Sequence, residues 1–193
     1  MPRHLCGWQH RWDDPEREYR TLYGAKSEMT CLREVLADLR PNARAIAELR
    51  ELFGDATPAV RDAGVVGREL LEAHLLCPAR AVGDGDLCDI DADVELRHGL
   101  EHEHALLLAA HEMDHLDISQ VRSKDRIVTQ TIGRSLFTRG YAGVAFGSNL
   151  DDERCIAIFE GRAELVPDGD PLELTPELPQ LVQVCAELGL TLA

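Results

Sequence analysis

The sequence lacks any run that approaches about 18 consecutive apolar residues, which excludes an ordinary transmembrane helix. The start, MPRHLCGWQHRWDDPERE, also lacks the apolar core of a secretory signal. There is no internal repeat, no low-complexity tract and no linker long enough to separate domains. We therefore expect a cytoplasmic protein without membrane contact, and its 193 residues suit one domain with a buried core.

Basic residues are scarce: 20 lysines and arginines face 35 acidic residues, which gives a net charge of −15. Such a chain repels phosphate backbones over most of its surface, so nucleic acid is not expected as a partner. Arg11, Arg17 and Arg20 nevertheless lie close together near the N-terminus. A small anionic molecule can be held there without the whole protein being basic.

Cysteine pairs of the C-x-x-C type are absent. The six cysteines lie mostly within apolar runs and are Cys6, Cys31, Cys77, Cys88, Cys155 and Cys185. In a chain without an export signal, we interpret them as reduced thiols of the core rather than as a disulfide framework.

Helical and strand patterns are interspersed without regular alternation, which favours an α+β fold. The stretch RTLYGA (20–25) predicts a strand, and Ser27 predicts the N-cap of a helix that continues to about Arg40. Its apolar stripe consists of Met29, Leu32, Leu36 and Leu39. Further helices are expected over about 42–53 and 125–139, and from about Pro176 in the tail, with strands at YAGVAFGS and CIAIFEGRAEL.

Two longer predictions concern the middle of the chain. The stretch PARAVGDGDLCDID (78–91) alternates around a Gly-Asp-Gly turn, which is typical of a hairpin. Asp91 is then expected to cap one long helix, DADVELRHGLEHEHALLLAAHEMDH. An amphipathic segment of undetermined structure covers about 58–76.

The end of that predicted helix, HEMDH (111–115), has the spacing of a zinc hydrolase motif, and peptide deformylases carry a similar HExDHL run. On a helix, His111 and His115 would share one face as ligands, with Glu112 as the general base and His104 within reach as a third ligand. The alternative is a histidine-rich helix that faces solvent. We favour the second interpretation and expect no metal, because the G-x-G-L-A-A and E-G-C-L-S stretches of deformylases are absent.

A different family matches more of the chain. The stretches H-R-W-D-D-P (10–15), L-Y-G-A (22–25) and C-L-R-E-V-L (31–36) resemble the opening of the RES domain, usually G-R-W-N-P, L-Y-x-A and A-x-x-E-V. The stretches H-L-D-I-S-Q-V, T-Q-T-I-G-R-S-L, G-Y-A-G-V-A-F-G-S and C-I-A-I-F-E resemble its second half in the same order. The resemblance covers about residues 7–165, with a helical tail over about 166–193, so we expect a single RES-like domain over 1–193.

This resemblance implies a compact α+β fold related to ADP-ribosyltransferases, with mixed and antiparallel sheets and a cleft for NAD. Family members are commonly toxins of toxin–antitoxin systems that degrade cellular NAD. The residues that match the family's functional positions are Arg11, Tyr23, Glu34 and Ser148. Asp13 and Asp14 depart from the usual asparagine-proline pair, and Phe146 stands where tyrosine is common.

These residue types suit cleavage of the bond between nicotinamide and ribose, which develops positive charge on the sugar. Glu34 would stabilise that charge and orient an attacking water or phosphate. Tyr23 would stack on nicotinamide, a contact worth about 1 kcal/mol. Arg11 offers a planar fork for the diphosphate, and Ser148 would hydrogen-bond the nicotinamide or the ribose.

Each of these residues also has an ordinary interpretation. Arg11 is by default a surface arginine, Tyr23 a packing residue of a strand, and Ser148 part of a turn. Glu34 lies roughly 170° from the apolar stripe of its helix at about 100° per residue, a direction that suits either solvent or a cleft.

We therefore predict an NAD glycohydrolase or phosphorylase of the RES type, with NAD as its substrate and a cognate antitoxin as a protein partner. A homo-oligomer is also compatible with the sequence. The alternatives are a zinc-dependent hydrolase that uses His111, Glu112 and His115, and a RES-like binding module without turnover.

Overall fold

The computed structural model describes residues 8–123 and 125–193. Our expectations for the first seven residues, which include the thiol of Cys6 and the lack of a secretory start, lie outside this range. The described chain divides into two compact units. The first contains the residues up to Lys26 together with Ala79–Pro167, and the second contains Ser27–Pro78 together with Asp168–Ala193. Each unit consists of two separate segments, so the chain cannot be divided into the two units at a single position. The expectation of one domain over 1–193 stays a prediction.

The elements of the first unit surround a four-stranded sheet. The strands of the whole unit are β1 (Thr21–Ala25), β4 (Ala79–Gly83), β5 (Leu87–Asp89), β6 (Gly143–Gly147), β7 (Arg154–Phe159) and β8 (Ala163–Pro167). Its helices are α5 (Val94–Glu103), α6 (Ala105–Ala110), α7 (Ile118–Val121) and α8 (Arg126–Thr138). The sheet has the order β1-β7-β6-β5, in which β6 pairs in parallel with β5 and the other neighbours are antiparallel, while β4 pairs with β8 in a separate antiparallel ribbon.

Helix α8 supplies much of the core of this unit. Asp125 caps its N-terminus by accepting from the backbone N–H groups of Ile127 and Val128 at 3.2 and 3.4 Å. Beyond the helix, Gly140 adopts a φ of 92°, a conformation that glycine accepts without steric cost. Along the buried face, Val128, Ile132 and Leu136 join the core beneath the sheet with Trp12 and Phe159. The sequence prediction of this helix is confirmed.

The second unit is organised around two helices. Its elements are α1 (Glu28–Leu36), a 3₁₀ turn (Ala37–Leu39), α2 (Ala43–Phe53), α3 (Pro58–Arg61), β2 (Val65–Val66), α4 (Arg68–Glu72), β3 (Leu75–Leu76), β9 (Leu172–Glu173), α9 (Pro179–Leu188) and β10 (Thr191–Leu192). Ser27 caps α1 as predicted, since its hydroxyl accepts from the N–H of Thr30 at 3.2 Å. The predicted stripe is also confirmed, because Leu32 and Leu36 are buried in the cluster formed with α9.

Several sequence predictions are wrong. Residues 78–91 do not form a hairpin: β4 pairs with β8 and β5 pairs with β6, so the two strands find partners far along the chain. The long helix is broken at His104 and ends at Ala110, and its N-cap is Asp93, which accepts from Leu96 at 2.9 Å, rather than Asp91. The tail helix begins at Pro179 instead of Pro176.

The mixture of helices with small mixed and antiparallel sheets confirms the α+β class. Among the described cysteines, Cys88, Cys155 and Cys185 are buried as expected, whereas Cys77 is exposed and does not belong to the core. No helix in the described ranges has the length and apolar character needed to cross a membrane.

Candidate functional site

Tyr23 lies in β1 with its hydroxyl turned inward and part of its ring at the surface. The hydroxyl accepts from the N–H of Trp12 at 2.9 Å and donates to Oδ1 of Asp13 at 3.3 Å. Burial of the hydroxyl, followed by the charge of Asp13, raises the pKa of Tyr23 well above its ordinary value of 10.0. The residue as a whole is 39% exposed. Tyr23 therefore stays a neutral phenol and presents an aromatic surface of the kind that stacks on a planar ligand.

The two aspartates that depart from the family pattern hold the segment before β1. Asp13 accepts from the N–H of His10 at 2.9 Å as well as from Tyr23. Asp14 is fully buried and accepts from the N–H of Glu18 at 2.5 Å. Because these carboxylates satisfy several backbone donors, they fix the loop that carries Arg11.

Arg11 lies against the end of β6. Its Nη2 donates to the carbonyl oxygen of Arg122 at 3.1 Å, and its Cζ is 5.5 Å from the centroid of the Phe146 ring. A guanidinium at this distance from an aromatic ring is attracted by the charge distribution of the ring. Phe146, which stands where tyrosine is common in the family, thus supports Arg11, the residue predicted to bind the diphosphate.

Ser148 follows β6 directly and is fully buried. Its Oγ accepts from the N–H of Leu150 at 3.0 Å, and its own N–H donates to the carbonyl of Glu153 at 2.9 Å. These bonds shape the turn between β6 and β7, so the turn interpretation of Ser148 is confirmed. Its contact with a substrate stays a prediction.

Three of the predicted site residues belong to one network of contacts in the first unit. Arg11 packs on Phe146, two positions before Ser148. Trp12, whose N–H binds the Tyr23 hydroxyl, has its ring centroid 5.7 Å from that of Phe146. Trp12 and Phe146 therefore connect Arg11, Tyr23 and the turn that contains Ser148.

Glu34 belongs to the second unit. It lies in α1 on the side opposite the buried Leu32 and Leu36, and it is exposed. The sequence prediction of its direction is confirmed. Its convergence with Arg11, Tyr23 and Ser148 stays a prediction.

The sequence interpretation missed two residues of this region. Arg122 follows α7, and its guanidinium binds Oδ2 of Asp91 at 2.8 Å and Oδ1 of Asp152 at 2.6 Å. The same Asp91 oxygen accepts from the N–H of Gly147 at 2.7 Å. Asp91 and Arg122 are 31 positions apart, so no local pattern linked them.

The HEMDH stretch does not form the helix that a zinc site needs. His111 follows the last residue of α6, and Glu112 has a φ of +57°. Nδ1 of His111 is 2.6 Å from Asp125, whereas Nδ1 of His115 is 3.3 Å from Glu101. Since the two imidazoles bind separate carboxylates, they do not present a ligand pair.

Within residues 8–123 and 125–193, no set of three or more histidine, cysteine, aspartate or glutamate side chains could hold a metal ion. The predicted third zinc ligand, His104, instead contacts the hydroxyl of Ser135 at 2.8 Å. The continuous helix on which the zinc interpretation depends is therefore wrong.

A cavity of about 580 Å³ lies elsewhere in the first unit, beside α5 and α6. Its polar lining residues are His98, Glu101, His102, Glu112 and Asp114, and none of the four predicted site residues lines it. Three carboxylates would repel the diphosphate of a dinucleotide. The region around Arg11 is the better candidate, because it combines a guanidinium with an exposed aromatic ring.

Comparison with known protein families identifies a match over most of this chain. The model of the family described as the RES domain matches residues 4–177, which is most of the chain. No curated protein and no solved structure matches this sequence.

Proposed function

Because this chain belongs to the RES domain family, we propose that it is an NAD-consuming toxin that cleaves the bond between nicotinamide and ribose. The observation that carries the proposal is the family match over residues 4–177, a range that includes all four residues at the family's functional positions. The contacts of Arg11 with Phe146 and Arg122 support it, since they place a guanidinium beside the turn that carries Ser148.

The proposed reaction breaks the bond between C1″ of the nicotinamide ribose and the pyridinium nitrogen, and the bonding electrons leave with neutral nicotinamide. A water oxygen then bonds to C1″ and releases one proton, which gives ADP-ribose. If phosphate is the acceptor instead, its oxygen forms that bond and the product is ADP-ribose 1″-phosphate. Positive charge develops on the sugar in either case, so a nearby carboxylate lowers the barrier.

Each of the four residues has a separate role in this proposal. Arg11 binds the diphosphate with its planar fork, and Tyr23 stacks on nicotinamide with the exposed part of its ring. Glu34 stabilises the charged sugar and orients the acceptor. Ser148 hydrogen-bonds the nicotinamide or the ribose.

The test is incubation of the purified protein with NAD, followed by mass spectrometry of the products in Hepes and in phosphate buffer. We expect nicotinamide in the phosphate buffer with either acceptor, and in Hepes as well if water is the acceptor. ADP-ribose alone in both identifies a glycohydrolase, whereas ADP-ribose 1″-phosphate in the phosphate buffer identifies a phosphorylase. Bound but intact NAD in both buffers would overturn the enzyme proposal and favour a RES-like module without turnover.

The proposal also includes partners and location. A toxin that consumes NAD in the cytoplasm requires a cognate antitoxin, and we propose that one binds this chain. Expression of the protein alone should arrest growth and deplete NAD, while coexpression with the antitoxin should restore both. We further propose self-association, which sedimentation of the purified chain measures.

A further inference from the structure

Arg122 connects several parts of the candidate site. Its backbone carbonyl accepts from Nη2 of Arg11 at 3.1 Å and from Nδ2 of Asn149 at 2.7 Å. Its guanidinium binds Asp91 at 2.8 Å and Asp152 at 2.6 Å. One residue thus joins the predicted diphosphate-binding arginine, the turn that follows Ser148, and the loop after β5.

The end of β6 is shaped to receive this guanidinium. A Cβ atom added at Gly147 would lie 2.0 Å from Nη2 of Arg122, far inside the distance at which atoms can approach. Any Cβ at this position would therefore displace the guanidinium from where it lies across the strand, one residue before Ser148.

Asp91 completes the arrangement from the other side. Its Oδ2 accepts from both the N–H of Gly147 and Nη2 of Arg122, so it ties the strand to the guanidinium. Its own backbone carbonyl accepts from Nη1 of the buried Arg97 at 2.6 Å. Asp91 is therefore held in place independently of Arg122.

The ion pair is poorly suited to a purely stabilising role. The side chains of Arg122 and Asp91 are only 20% and 15% exposed, so both charges have lost most of their water. Within residues 8–123 and 125–193, Nε of Arg122 and Oδ1 of Asp91 are buried without a hydrogen-bond partner. Asp152 binds Arg122 from a backbone φ of +59°, which is uncommon for a residue other than glycine. A buried ion pair with unmet polar atoms contributes little net stability, and such groups concentrate at functional sites.

We propose that Arg122 and Asp91 are positioning residues, which hold Arg11 and the turn of Ser148 in the geometry that binds NAD. This inference rests on the proposed function. Neither residue needs to touch the substrate: Arg122 orients Arg11 through its carbonyl, and Asp91 holds the Ser148 turn through Gly147.

The test compares Arg122→Gln, Arg122→Lys and Asp91→Asn in a nicotinamide-release assay with the full chain. Arg122→Gln removes the fork that binds both aspartates, and a displacement of about 1 Å can cost about 100-fold in rate. We expect its KM for NAD to rise by about ten- to hundredfold, with a smaller change in kcat. Asp91→Asn should have a weaker effect, because its amide oxygen still accepts from Gly147. Arg122→Lys, which keeps the charge, should lie between wild type and Arg122→Gln and serves if the latter does not fold.

The matched control is Arg139→Gln, which removes an arginine of the same unit that pairs with Glu103 away from Arg11. Its KM should equal that of the wild type. A merely structural role for Arg122 would lower apparent kcat in proportion to the folded fraction and leave KM unchanged, and that result would overturn the proposal.

A measurement independent of activity separates this inference from the proposed function. In Arg122→Gln, amide hydrogen exchange at Gly147 should be faster than in the wild type, because Asp91 has lost its second partner. Unchanged exchange would overturn the positioning role even if the wild type is active. Faster exchange in a protein that never releases nicotinamide would support the structural link but overturn the proposed function.

Discussion

At the scale of single residues, the site depends on side chains whose polar ends are held while another part remains available. Tyr23 is the clearest case. Its hydroxyl is bound between Trp12 and Asp13, whereas its ring reaches the surface. The ring and the hydroxyl therefore have separable roles.

Tyr23→Phe should lower the free energy of unfolding by about 1–3 kcal/mol, because the buried N–H of Trp12 loses its acceptor. Nicotinamide release should persist, since the stacking ring remains. Tyr23→Ala should weaken NAD binding by about fivefold and slow release at low NAD concentration, because the stacking contact is lost. Urea denaturation and calorimetric titration with NAD measure the two effects, and Tyr141→Phe provides the control. A fully active Tyr23→Ala would remove the ring from our account.

Glu112 provides a second prediction at this scale. Its φ of +57° costs free energy for any residue with a Cβ. Glu112→Gly should therefore raise the free energy of unfolding by up to about 1 kcal/mol. Nicotinamide release should be unchanged, because Glu112 lines a cavity that Arg11 and Tyr23 do not line and has no role in the proposed reaction. Loss of activity in a well-folded Glu112→Gly protein would contradict this prediction and implicate the HEMDH stretch (111–115) in the reaction.

At the scale of elements, the strands that carry the site are fixed by contacts between distant parts of the chain. Gly147 at the end of β6 gives a direct test of this. Gly147→Ala should lower the free energy of unfolding by about 1–3 kcal/mol, the usual cost of overpacking, because its Cβ displaces Arg122.

The control for Gly147→Ala is Gly99→Ala in α5, where an added Cβ meets nothing within 4 Å. That change should stabilise the helix by up to about 1 kcal/mol. Equal urea midpoints for the two variants would contradict the proposed fit between Gly147 and Arg122.

Acid should weaken a link between β5 and β7. The hydrogen bond from Arg154 is the main cause that holds the pKa of Asp89 below its ordinary value of 3.8. A carboxyl with a lowered folded-state pKa contributes stability that is present above its unfolded-state pKa and is lost as the pH falls through the folded-state pKa. The urea concentration at the midpoint of unfolding should therefore decrease as the pH is lowered below about 4. This decrease should be less steep in Asp89→Asn than in the wild type.

The effect of Asp89 should be small, since the pair is partly exposed and such pairs contribute about 0–1 kcal/mol. Asp84→Asn, at an exposed position between β4 and β5, is the control and should retain the acid sensitivity of the wild type. Identical pH profiles for all three proteins would contradict this role of Asp89.

At the scale of the whole molecule, the sequence predicted features that depend on neighbouring residues. Ser27 was identifiable as a helix boundary because a cap acts within three positions of itself. The apolar stripe of α1 was likewise visible from its spacing. The α+β class and the family resemblance followed from such local signals in a fixed order.

Features that depend on distant partners were not predicted. The stretch that contains β4 and β5 has the alternating pattern of strands. The partners of these strands, β8 and β6, lie far along the chain, so a local hairpin was the wrong inference. The apolar and histidine-rich stretch 91–115 suggested one helix, yet its continuity is broken at His104. No local sequence pattern indicated a function for Arg122, because its contacts with Asp91 and Asp152 form between distant parts of the chain.

The central claim is that this chain uses Glu34 to break the nicotinamide–ribose bond of NAD. The most direct measurement is the rate of nicotinamide release by wild type and Glu34→Gln, with Glu51→Gln as a matched exposed glutamate of the same unit. We predict that Glu34→Gln still binds NAD but releases nicotinamide at least about 100-fold more slowly, while Glu51→Gln matches the wild type. Equal rates for wild type and Glu34→Gln, or no release by any of the three, would contradict the account.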